Sequence, residues 1–77
     1  MTADEVKRRI GEGIPGARVE VHDLTGTSDH YEATIVATAF EGKSLIERHR
    51  MVYATLGDKV GGEIHALTLR TLAPSEA

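Results

Sequence analysis

Seventy-seven residues, 40% of them hydrophobic and 27% charged, are enough for one small domain spanning 1–77. A chain of this size hides only about 60% of its unfolded surface and has little room for an enclosed substrate cleft, which argues against an enzyme. It has no cysteine, which excludes disulfides and thiolate metal ligands, and its net charge of −3 lacks the basic excess of a dedicated nucleic-acid binder.

The first ten residues, MTADEVKRRI, carry charges where a signal peptide needs an apolar core. No later run is long and apolar enough for a membrane span, so a cytoplasmic location is expected. Thr2 with Glu5 is a capping-box pattern, and Ala3, Val6 and Ile10 line one face of a short helix. Lys7, Arg8 and Arg9 fall on its solvated side. Gly11, Gly13, Pro15 and Gly16 end it. Ala17, Val19 and Val21 alternate with Arg18, Glu20 and His22, a strand with one buried face. The turn-rich run Asp23 to Asp29 predicts an exposed loop. Tyr31, Ala33, Ile35 and Ala37 then alternate with Glu32, Thr34, Val36 and Thr38, so the two strands form an antiparallel hairpin.

Ser44 with Glu47 is a second capping box. Leu45, His49, Val52 and Leu56 repeat at helical spacing, with Tyr53 widening the stripe, and Gly57, Gly61 and Gly62 close the helix. Ile64 to Leu72 reads as a strand, joined to the second by a helical crossover that requires the two to be parallel. Ser75, Glu76 and Ala77 are expected to fray. The resulting order is α-β-β-α-β: an α+β fold with a small three-stranded mixed sheet and helices on one face.

By spacing alone, His65 is a half-buried histidine hydrogen-bonded to a carbonyl, and His49 is a packed, hydrogen-bonded one on the helix stripe. Lys43, Arg48 and Arg50 form a local basic cluster, either solvated and ion-paired or a docking surface for an acidic partner or nucleic acid. Gly42 and the start of that helix could receive an anion. There is no GxxxxGK[ST], GxGxxG or Cys-His pair, and the consecutive Ser28, Asp29 and His30 do not make a catalytic triad.

Four pieces together resemble the BolA-like family: Phe40-Glu41-Gly42-Lys43, Arg48-His49-Arg50-Met51-Val52, Ile64-His65-Ala66-Leu67 and Thr71-Leu72-Ala73-Pro74. The resemblance covers nearly the whole chain and implies a type II KH-like fold. It departs at the end, since such proteins often continue into a further helix and three residues follow Pro74 here. It implies that His65 is a ligand of a [2Fe-2S] cluster shared with a monothiol glutaredoxin and glutathione. The second ligand implied falls at the hairpin loop, where His30 is favoured over His22 because Ser28-Asp29-His30-Tyr31 resembles the family's run there. The implied function is an adaptor in iron-sulfur cluster assembly or transfer, or in iron homeostasis. The alternative is a small KH-like regulator of transcription binding DNA or RNA, although Gly42-Lys43-Ser44-Leu45 lacks the second glycine of the KH backbone clamp.

Overall fold

Thr2 starts the first helix, α1 (Ala3–Gly13), in a computed structural model that describes residues 1–24, 26, 30–62, 64 and 66–77. The Thr2 hydroxyl oxygen accepts from the Glu5 N–H at 3.2 Å. The Glu5 carboxylate then takes the Thr2 hydroxyl proton instead of the Thr2 amide, so only half of the expected capping box forms. Val6 and Ile10 are fully buried, while Lys7 and Arg8 face solvent.

Strands β1 (Arg18–Asp23) and β2 (His30–Val36) pair antiparallel, from Arg18 opposite Val36 to Asp23 opposite Tyr31. Asp23 opens the turn between them by accepting from the Gly26 amide at 2.9 Å. Helix α2 (Leu45–Leu56) leads back to β3 (Ala66–Leu72), which lies parallel to β2 with His30 beside Ala66 and Val36 beside Leu72. The sheet order is β1-β2-β3. Alternation sends Val19, Tyr31, Ala33 and Ile35 towards the helices, where they pack with Val6, Ile10, Phe40, Val52 and Leu56. The opposite face of the sheet carries His22, Glu32 and Thr68 in one row and Glu20, Thr34 and Arg70 in the next. This is the α+β arrangement the sequence predicts.

Three expectations need correction. The third strand starts at Ala66, two residues late, because the preceding loop claims the backbone of Ile64: its N–H bonds the Lys59 carbonyl and its carbonyl accepts from Gly61. The α2 stripe is also displaced. Leu45 is 63% and Tyr53 39% exposed, whereas Val52 and Leu56 are buried and Arg48, His49, Met51 and Thr55 flank them. Phe40, on a 3-10 turn just before the helix, is fully buried in the core where Leu45 is not. Finally, the tail is not frayed. Pro74–Glu76 forms a 3-10 turn pinned through the Glu76 carboxylate.

The two helices meet closely at their C-terminal ends. A Cβ on Gly13 would lie 2.4 Å from Thr55 Cγ2, so only glycine fits there without displacement.

Candidate functional site

His30 opens β2, the central strand, and is half-buried. Its carbonyl accepts from the Leu24 N–H at 2.9 Å, which ties the strand start to the end of β1. In register it lies beside Ala66, the residue that follows His65 in the chain. His22 is exposed on the outer strand, opposite Glu32. Of the two alternatives, His30 is therefore the one on the strand that adjoins β3. His65, Ser28 and Asp29 lie outside the described residues; the flanking Ile64 is fully buried.

Among the described residues, no three histidine or carboxylate side chains gather to hold a metal ion. With no cysteine in the chain, the donors on offer are imidazole and carboxylate. Such a set fits a share of a cluster's ligands, with sulfur donors coming from another molecule.

The basic stretch divides into two parts. Lys43 and Arg50 are exposed. Arg48 is engaged within the molecule, with its side chain only 11% exposed. Its Nη1 donates to Glu76 Oε1 at 2.6 Å and its Nη2 to Oε2 at 3.2 Å, a two-pronged pair. Its Nε donates to the Lys43 carbonyl at 3.1 Å, and Nη1 also reaches the Thr71 carbonyl at 3.3 Å. The guanidinium sits 5.9 Å from the centre of the Phe40 ring. The hydrogen bond from Arg48 holds the Glu76 carboxyl below its usual range, and the Ala73 amide adds to this. The same bond raises Arg48. Arg48 thus fastens the chain to itself, and the surface cations of this stretch are Lys43 and Arg50.

The start of α2 is satisfied locally. Ser44 Oγ accepts from the Glu47 amide at 3.2 Å, and Glu47 Oε1 accepts from the Ser44 amide at 3.3 Å. These bonds from Ser44, with smaller contributions from Lys43 and Arg50, keep the Glu47 carboxyl below its usual range. A persistent carboxylate therefore stands where an anion would approach, which argues against the anion reading of Gly42. His49 is half-buried, but its Nε2 is buried with no hydrogen-bond partner among the described residues, in contrast to the hydrogen-bonded role expected.

Sequence reasoning missed Glu76. The one local signal for it was its position three residues after Ala73, whose amide it caps at 2.8 Å.

Comparison with known proteins agrees with this geometry. The family model described as BolA-like protein matches residues 15–76. The chain is 37% identical over 71 residues to Arabidopsis thaliana protein BOLA2, covering 91% of this chain and 75% of that protein. The mammalian BolA-like protein 1 sequences it matches are longer; the match to the human one spans 37% of its length. A solved structure of a bolA homologue from Coxiella burnetii superposes with a TM-score of 0.83 at 35% identity, covering 99% of this chain and 95% of that one. The solution structure of yeast Fra2 gives 0.81 at 28% identity, covering 99% and 83%. Sheet order, helix placement and the family match over most of the chain converge: the chain belongs to the BolA-like protein family.

Proposed function

We propose that this BolA-like chain is a cytoplasmic adaptor, not an enzyme, that partners a monothiol glutaredoxin and shares its [2Fe-2S] cluster. His65 and His30 contribute imidazole donors; the glutaredoxin cysteine and glutathione contribute the sulfur. The observation that carries this reading is the parallel register: the start of β2, bearing His30, lies beside the start of β3, which His65 precedes in the chain. The neutral imidazole donor replaces a thiolate without adding negative charge, and that change makes the cluster easier to reduce. The role is assembly, transfer or sensing of clusters in iron homeostasis.

The test mixes the purified protein with a cluster-loaded, glutathione-bound monothiol glutaredoxin and follows the visible spectrum. A mixed-ligand cluster changes that spectrum. His65→Ala should abolish most of the change while leaving thermal unfolding of the isolated protein nearly unaltered. His30→Ala should give a smaller spectral loss. A His65→Ala protein destabilised by about 1–3 kcal/mol that still forms an unaltered mixed cluster would make this histidine a structural residue and remove the proposal's main support.

The nucleic-acid alternative is weakened by the commitment of Arg48 to Glu76, which leaves two exposed cations on this stretch beside the ionised Glu47. Salt-dependent binding to DNA or RNA, measured without any protein partner, separates the two readings.

A further inference from the structure

The outer edge of β3 is an unpaired ladder. The Leu72 carbonyl accepts from Ala37 and so faces β2. Backbone groups alternate sides along a strand, so Ala66, Thr68 and Arg70 also face β2, while Leu67, Leu69 and Thr71 face outward. The outward Thr71 carbonyl is occupied by Arg48. Among the described residues, nothing bonds the outward N–H and C=O groups of Leu67 and Leu69. The other edge of the sheet, β1, carries Arg18, Glu20 and His22 as polar side chains, the usual defence against pairing with a second chain. Along β3 the single charge is Arg70. The side chains of Leu67 and Leu69 are only half-buried.

We infer that β3 pairs antiparallel with the β3 of a second copy of this chain, joining two sheets into one of six strands. The occupant follows from the sequence of the edge. Ala66-Leu67-Thr68-Leu69-Arg70 is close to symmetric about Thr68. A twofold axis at Thr68 sets Leu67 against the partner's Leu69 and Leu69 against the partner's Leu67. This register satisfies all four outward groups on each copy and needs nothing from the occupied Thr71 carbonyl. It also apposes the two Thr68 side chains on the open face of the sheet, a favourable cross-strand pair, and sets Arg70 against the partner's Ala66, not against another charge. Leu67 and Leu69 of the two copies close over each other on the helix side. A register centred on Leu69 would require the Thr71 carbonyl and is disfavoured.

The pairing is tested on the full chain by sedimentation equilibrium from micromolar to millimolar concentration, with amide hydrogen exchange at Leu67 and Leu69. A dimer should appear, and exchange at these two amides should slow as it forms. Thr68 is exposed beside Glu32 on the open face, so Thr68→Lys leaves the monomer intact and Thr68→Glu costs it little beyond repulsion from Glu32, which thermal unfolding of each variant reads. Each alone should weaken the dimer roughly tenfold through like charges at the axis, and an equal mixture of the two should restore it. A wild-type chain that stays monomeric throughout, leaving the edge to an extended segment of some other protein, would overturn the inference. So would a dimer indifferent to both substitutions, because its interface would lie elsewhere.

Discussion

Arg48 gathers three separate parts of the chain onto one guanidinium: the carbonyl before α2, a carbonyl near the end of β3 and the Glu76 carboxylate. Its contribution depends on Glu76 remaining ionised. The Glu76 carboxyl is held below its unfolded value of about 4.3, so the pair stabilises fully above that pH and is lost as pH falls through the lower folded value. Arg48 stays charged throughout. Urea unfolding from neutral pH down to about pH 3 should therefore show Glu76→Gln less stable than wild type at neutral pH, with the gap closing in acid. A gap that stays constant across this range would assign the effect to packing instead of charge. The two helix starts at Thr2 and Ser44 were legible because the partner residues lie within one turn. The Arg48 pair was not, since Arg48 and Glu76 are brought together only by the whole path through β3.

At the scale of elements, periodicity located both helices and all three strands, because one face of each is buried against the same core. It misjudged which residues of α2 face inward. Leu45 satisfies the helical spacing yet stays exposed, while Phe40 on the preceding turn is buried, and hydropathy alone cannot rank neighbouring apolar residues for burial. The contact between α1 and α2 was equally hidden, because Gly13 reads as a helix stop and also serves as the point of closest approach to Thr55. Gly13→Ala should cost about 1–3 kcal/mol in chemical unfolding by forcing the helices apart. Thr55→Ser, which removes Cγ2 and keeps the hydroxyl that donates to the Val52 carbonyl, should recover part of the loss in the double variant. A Gly13→Ala chain as stable as wild type would mean that the helices separate at no cost.

Across the whole molecule, charge and apolar surface coincide on α2. Lys43 and Arg50 lie just before and on the helix that carries the exposed Leu45, Ile46 and Tyr53, while Lys7 and Arg8 lie on α1, which carries none of the exposed large apolar residues. If the proposed glutaredoxin partnership holds, reversing Lys43 and Arg50 to Glu should weaken that binding roughly tenfold by titration, more than reversing Lys7 and Arg8. Equal losses from both pairs would place the docking surface elsewhere. No helix of the described structure is long and apolar enough to cross a membrane. The candidate site was legible in part: the sequence located His30 at the loop end, but that this strand start lies beside Ala66 emerges only from the parallel register.

That register has a kinetic consequence. β1 and β2 are close in sequence and can find each other early, whereas every β2–β3 pair unites residues from opposite halves of the chain. Closing that long loop costs entropy before any bond of the ladder repays it, so addition of β3 is expected to be the slower of the two pairings, which φ-values at β3 positions would test. Until it happens, the central strand keeps one edge open and Tyr31, Ala33 and Ile35 lack part of their cover. A newly made chain is therefore most exposed to mispairing in the interval before its last strand arrives.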